Sequence, residues 1–513
     1  MKKRTIVKST ILISLFTIFI KLLGLIKQTL MASFCGASLS TDAFYISTGV
    51  IGQIIMILFS SLSVTLLTMY NEEKAKSGDE KANKFINTVL NVLLPVSLIC
   101  AFIFYFASPL VAKFLSPSYS PSELKILTDY IKIVSIAFVP WCYYLTLNVV
   151  LESNKIFLPG RFQGFFQNIF LIVVILFFFN SLGAVSLVYA FLFSGVAEAV
   201  LITIIARKEI KLTFKNNFDK EKLKKLLILS VPLIIGNATS EINDIIDKQI
   251  ATGIGVGTTS LLTYSGTLNE IITGVVLSSI SIVLFSHFST WVSENKIDLL
   301  KNNLVKYITV IIFFILPVMV IFITNGDNII SLIYGHGSLS TGDLEKIYVM
   351  LIGYVLGFIF QATRNIFAKA LYALQDTKTP MYNGIICVVI NATLSIWLSK
   401  YFGVIGITIS TSIAMVIGTI ILYIALKKKI PGFSFYKEKN EYFKLLFAST
   451  ITLIILFVCK QYVVANNFIN LFVSAFICII CYILILILLH SKNISYIFSL
   501  LKSKLYKTKN KNI

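Results

Sequence analysis

The chain has 513 residues, 57% of them hydrophobic and only 13% charged, with a formal net charge of +21. A soluble protein is roughly a quarter charged, so this composition excludes a water-facing globular domain and requires a surface that faces lipid. Buried in lipid, the backbone must satisfy its own hydrogen bonds, and the lack of short alternating segments excludes a β-barrel in favour of helices.

Apolar runs of roughly 20 residues, each enough to cross about 30 Å of hydrocarbon, predict an all-α polytopic membrane protein of about fourteen transmembrane helices. They fall near 10–33, 42–70, 86–113, 125–152, 157–181, 183–207, 226–252, 260–290, 303–325, 345–374, 379–401, 403–426, 441–463 and 469–490. No cleavable signal peptide is expected, because no small-residue cleavage site closes the first run. Span 1 carries Lys21 and Lys27 with Gly24 between them as a candidate hinge, and span 2 opens with Asp42. Span 4 holds Lys132, span 6 Glu198, span 7 Glu241, Asp244, Asp247 and Lys248, span 8 Glu270, and span 10 Arg364 and Lys369.

The loops alternate in charge. Lys2, Lys3 and Arg4, the Lys74–Lys84 loop, the stretch from Arg207 to Lys225, Lys427–Lys429 and the tail from Lys502 to Lys511 share one side, whereas loops such as GIGVGTTS carry no Lys or Arg. The positive-inside rule then puts both termini in the cytoplasm, as an even helix count requires. The basic excess is a topology signal and an attraction to anionic headgroups, not a nucleic-acid footprint. Cys478 and Cys481 form a CxxC, but inside an apolar run, where packing is the expected role. The GIGVG at 253–257 lies between spans rather than after a strand and reads as a flexible turn. No GxxxxGK[ST] is present, and His287, His336 and His490 are dispersed, so neither a nucleotide, a cofactor nor a firm metal site is expected.

Landmarks recur at a separation of about 220 residues. Lys27-Gln28 returns as Lys248-Gln249, Ser118 as Ser338, Leu124 as Leu344, Pro159 as Pro380, Gly164 as Gly384 and Gly183 as Gly403. The chain therefore reads as two six-helix halves, 1–207 and 226–426, joined by a basic cytoplasmic linker at 208–225. Helices 13 and 14 follow at 441–490, with a basic tail at 491–513. Six is even, so the halves form a parallel repeat, and transporters of this build place substrate between halves that rock.

A charge at a helix centre costs roughly 2.5–3.5 kcal/mol on insertion scales and normally faces a cavity or a partner. Glu198, Lys369 and Asp42 also admit an interfacial reading, and Lys21 or Lys27 a structural ion pair with Asp42 or Glu270. The repeat of the Lys-Gln element in span 7 favours a cavity. Paired basic groups there suit a phosphate or pyrophosphate. An enzyme is the weaker class. An ion gradient, the membrane potential or downhill use of the product would supply the energy.

The opening IKLLGLIKQTLMASFCGASLSTDAFYIS resembles the signature of the MurJ/MviN group of the multidrug/oligosaccharidyl-lipid/polysaccharide exporters. INDIIDKQIATGIGVGTTSLLTYSGTLNEI, SLIYGHGSLSTGDLEKI and RNIFAKALYALQDTKTPM resemble its later landmarks, over essentially the whole chain. The resemblance implies an inner-membrane flippase for lipid II, with a cationic cavity for the pyrophosphate and a tail groove at helices 13 and 14. It places Lys21 and Lys27 where arginines are usual, Asp42 at the acid of an ATDAF-like motif, and Glu270 at an acidic position. With Lys248 and Arg364 these are the candidate headgroup residues. It also implies sodium or the membrane potential as the driving force, for which Asp244, Asp247 and Asn391 are candidate oxygen ligands. A monomer working with cell-wall synthesis machinery is expected. The usual arginines near Ile55, Met56 and Thr267 are missing, which keeps open a flippase for another polyprenyl-linked polysaccharide; a more distant alternative is an ion-coupled efflux pump, against which the basic cavity candidates and the two extra helices stand.

Overall fold

A computed structural model describes residues 3–213, 220–462 and 466–494, with the side chains of 3–11, 240, 275–286, 436–437 and 462 left out. The basic tail from Lys502 to Lys511 and part of the linker at 208–225 lie outside the described residues. Among the described residues there is no strand. The helices are α1 Lys3–Cys35, α2 Leu39–Ile55, α3 Ser61–Leu115, α4 Pro121–Ser135, α5 Phe138–Ser153, α6 Phe162–Phe177, α7 Phe179–Leu182, α8 Val185–Ala206 and α9 Lys220–Ile254. They continue as α10 Thr258–Ser293, α11 Ile297–Tyr334, α12 Thr341–Val355, α13 Phe358–Ala373, α14 Lys378–Phe402, α15 Val404–Lys429, α16 Lys439–Tyr462 and α17 Asn467–Leu488.

Eleven stretches among the described residues are long and apolar enough to cross a bilayer, or twelve with the bent pair α12 and α13 taken as one span. The expected fourteen exceed that count. One of the eleven, Leu39–Leu115, is 77 residues long and contains Gly78 at φ 81°, so its length is more than one crossing needs.

The 220-residue repeat is written into the backbone. Ser120 and Ser340 each cap a helix (α4 and α12) with a reciprocal capping box, to Glu123 and Asp343. Such a box satisfies two otherwise orphaned N–H groups. Each capped helix then breaks after one 15-residue segment, between α4 and α5 and between α12 and α13. Gly183 and Gly403 both end helices at positive φ, 67° and 62°, where a β-carbon would be strained. Lys155 and Gln375 are also left-handed, at 64° and 60°.

The chain forms two compact units, residues 1–264 with 337–339, and 265–336 with 340–513. The division thus falls within α10 rather than at the basic linker. The reason is that α9 packs on α3 and α2, with Asn237 Nδ2 donating to Ser61 Oγ at 2.9 Å and Lys222 pairing with Glu73 at 2.8 Å. In the second unit α11 carries α16 and α17. α11 departs from helical geometry at Asn325, and Lys460 of α16 donates to the Thr324 carbonyl at 2.8 Å there while pairing with Asp327 at 2.6 Å. Cys478 is fully buried against Val320 and Leu456, a packing position.

One loop in the second unit predicts a pH effect. Asp376 is buried against its charge, yet Thr379 donates to it through its N–H at 3.0 Å and its hydroxyl at 2.6 Å, and Lys429 pairs with it at 3.1 Å. Together these hold its carboxyl below the usual aspartate range. A depressed folded value contributes stability above the unfolded value of about 3.9 and loses it as pH falls through the folded one. Thermal unfolding of D376N should therefore match the parent in strong acid and fall below it at neutral pH.

Candidate functional site

The first unit gathers most of the sequence candidates. Lys21 lies exposed on α1 and Lys27 is half-buried. α1 runs unbroken through Gly24, which faces Asn168 of α6, whose amide donates to the Ile20 carbonyl at 3.2 Å. The two Lys-Gln elements share a division of labour. Gln28 accepts from Tyr45 Oη at 2.5 Å, and Gln249 donates to the Phe114 carbonyl at 2.6 Å. In both elements the glutamine fastens one helix to its neighbour.

Lys248 rests over Gly49 of α2, where a β-carbon would overlap its Nζ. One turn earlier on α9, Asp244 is exposed, within electrostatic reach of Lys248, and 3.5 Å from Gln53 Nε2 of α2. Gln53 Oε1 is buried without a partner among the described residues. A π-turn over Met56–Ser60 follows immediately, a local geometry that often accompanies functional sites. Gly49 and Gln53 are thus site residues that the sequence reading missed; the signal was a glycine and an amide spaced four apart in an otherwise apolar span. Asp247, three residues after Asp244, is buried and accepts from Asn243 at 3.2 Å.

Asp42 is turned into the protein. Expected among the headgroup contacts, it is fully buried and accepts from Gly257 N at 2.6 Å, Ser260 N at 2.7 Å, Ser260 Oγ at 2.6 Å and Tyr119 Oη at 3.2 Å. Its acceptor positions are spent inside the protein, on the orphan N–H groups at the start of α10, where a negative charge also suits the helix dipole. Neighbouring bonds extend this clasp. Tyr264 Oη donates to the Gly36 carbonyl at 2.9 Å, Ser338 N to the Ser33 carbonyl at 2.9 Å, and Ser118 Oγ to the Thr252 carbonyl at 3.0 Å. The C-terminal end of α1, the loop after α3 and the α9–α10 loop are thereby tied together.

In the second unit, Arg364 Nε donates to Asn383 Oδ1 at 2.8 Å and its Nη1 to Met415 Sδ at 4.0 Å. Asn391 is buried, donating to Thr411 Oγ1 at 2.8 Å and accepting from Ser395 at 3.1 Å. Its amide is thus engaged within α14 and α15. Glu270 is exposed on α10. Among the described residues no group of three His, Cys, Asp or Glu could hold a metal ion.

Comparison with known proteins agrees with this architecture. A Thermotoga maritima protein named probable lipid II flippase MurJ is 26% identical over 450 residues, covering 87% of this chain and 89% of its own length. A Borreliella burgdorferi protein of the same name is 26% identical over 502 residues, covering 93% and 96%. A solved structure of lipid II flippase MurJ in an inward closed conformation superposes with a TM-score of 0.82 over 93% of this chain and 98% of that one, at 24% identity. An inward-facing multidrug transporter of the MATE family gives 0.67 at 14% identity, over 80% and 94%. The family model described as lipid II flippase MurJ matches residues 31–491, and this chain belongs to that family.

Proposed function

We propose that this chain is the flippase that carries lipid II, the lipid-linked peptidoglycan precursor, from the inner to the outer leaflet of the bacterial cytoplasmic membrane. It is a transporter rather than an enzyme. The observation that carries the chemistry is Lys248, seated over Gly49 beside the exposed Asp244. A lysine ammonium there is a compact point charge that can meet a pyrophosphate once it leaves Asp244. Lys27, the repeat-related partner, and Lys21 supply further positive charge from α1, with Gly24 as the place where α1 would bend. Arg364 and Glu270 are the second unit's own candidates for headgroup contact.

In this reading both termini are cytoplasmic, so the Asp42 clasp closes the outer ends of the first unit's helices. Loading from the cytoplasm precedes its opening. The lipid tail stays in the bilayer along α16 and α17, and sodium or the membrane potential drives the return, with Asp244 and Asp247 as the first unit's candidate oxygen ligands for such an ion and Asn391 as the second unit's own candidate. A monomer suffices for this cycle.

The test is complementation in cells depleted of their own flippase, read as lipid II exposed on the outer leaflet. The parent chain should restore exposure, and the K21A/K27A double variant should not. Full exposure with the double variant would remove the α1 lysines from the site. A parent chain that restores drug efflux but not lipid II exposure would overturn the assignment.

A further inference from the structure

Glu198 sits inside α8, 1% exposed, and both its carboxyl oxygens are buried with no hydrogen-bond partner among the described residues. Buried polar groups in native proteins are nearly always paired, so each exception calls for a reason. An ionised carboxylate without a partner is far costlier in a membrane interior than the neutral acid.

The surroundings are those of a site rather than a packing defect. Gly195 lies one turn earlier on the same face of α8. A β-carbon there would fall 2.5 Å from Trp141 Nε1 of α5, and that indole N–H is also buried and unpartnered. One turn further along α5, Tyr144 is within electrostatic reach of Glu198, its hydroxyl donating to the Pro159 carbonyl at 3.1 Å. The internal repeat supplies an independent pointer. Tyr144, Gln163 and Glu198 each stand 220 positions before Arg364, Asn383 and Gly418. In the second unit those three form one polar cluster, with Arg364 donating to Asn383 and Asn383 Nδ2 donating to the Gly418 carbonyl at 2.8 Å. The corresponding trio in each half thus holds one side chain of ordinary acid or base strength, Arg364 in the second and Glu198 in the first, at different positions of the trio.

No cation reaches Glu198 from the helices packed on α8. On α4, Asp129 and Lys132 pair with each other, Glu123 closes its capping box and Lys125 is exposed. On α5, Glu152 accepts from Asn148 and Tyr143 bonds Thr203. On α2, Asp42 is held in its clasp and Tyr45 donates to Gln28. α6 and α7 carry no ionisable residue, and Arg161 before α6 is exposed.

We propose that Glu198 is a proton-binding site of the first unit, loaded in this conformation and emptied when water enters between α5 and α8. Binding adds one proton to the carboxylate and release returns it to water, with no other bond changed. Trp141, whose indole N–H is unspent, is the donor placed to meet the carboxylate once it is ionised, and Tyr144 can join it only by leaving the Pro159 carbonyl.

The test is difference infrared spectroscopy of the full chain in lipid nanodiscs, needing no lipid-linked substrate and so independent of the cargo assignment. At neutral pH the parent should show a carboxylic-acid carbonyl band that E198Q lacks and that E198D retains at a shifted position. The band should disappear in alkali and ignore sodium. Absence of an E198Q-sensitive band at neutral pH would overturn the proposal. Loss of the band on adding sodium at fixed pH would also overturn it, assigning the site to a metal cation. If E198Q does not fold, the shifted E198D band alone carries the test.

Discussion

Asp42→Ala should release the clasp at the C-terminal end of α1 and shift the protein out of the described conformation. The substitution strands four donors at once: Gly257 N, Ser260 N, Ser260 Oγ and Tyr119 Oη. Removing one member of a buried charged network costs about 3–5 kcal/mol, much of it from the groups left unpaired. Two functional conformations commonly differ by only a few kcal/mol, so a loss of this size reverses their populations. Spin labels at Ser122 and Val256, both exposed at this end of the first unit, should report a longer and broader separation in D42A than in the parent. D42N, which keeps one carbonyl acceptor but turns an amide toward the donors, should fall between them. Lipid II exposure should be lost in D42A because a clasp that cannot close cannot complete the cycle. An unchanged label separation would show that the clasp does not set the conformation.

That clasp also marks where the sequence stops being legible. The spans were readable because twenty apolar residues in lipid have one economical backbone solution, and the repeat because it rests on local chemistry. Ser120 with Glu123, Ser340 with Asp343, and the glycines at 183 and 403 are each decided within a few residues of the chain. Asp42 stands out in the sequence as a charged residue in an apolar setting, but its partners do not. Its partners are backbone N–H groups more than 200 residues away, and a backbone donor leaves no trace in a side-chain pattern. Gln53 and Gly49 were missed for a related reason: they matter through what α9 lays against them. The pairing of Trp141 with the face of Glu198 likewise needed α5 and α8 placed side by side. The fold is local information repeated; the site is long-range information that only packing reveals.

Gly49→Ala provides the sharpest separation of site from scaffold. The new methyl would occupy the place of the Lys248 ammonium, the free end of a flexible chain that can swing aside with little strain. Helix α2 itself should gain slightly, since alanine is favoured over glycine in a helix interior by about 1 kcal/mol. Thermal stability of G49A should therefore equal or exceed that of the parent, while the ammonium loses its seat beside Asp244. If Lys248 meets the pyrophosphate from that seat, lipid II binding should weaken in G49A and weaken further in K248A. A hydrogen bond involving a charged group contributes about 1.5–3 kcal/mol, so K248A should bind roughly 10- to 100-fold less tightly. K248R should recover part of the loss in a G49 background but none in G49A, because the larger guanidinium needs the same vacant space. Binding measured on purified protein in nanodiscs, alongside its melting temperature, gives both readouts from one sample. Equal affinity in parent and G49A would detach Lys248 from the headgroup site, and a sharp drop in stability would make Gly49 a packing residue of α2 and α9.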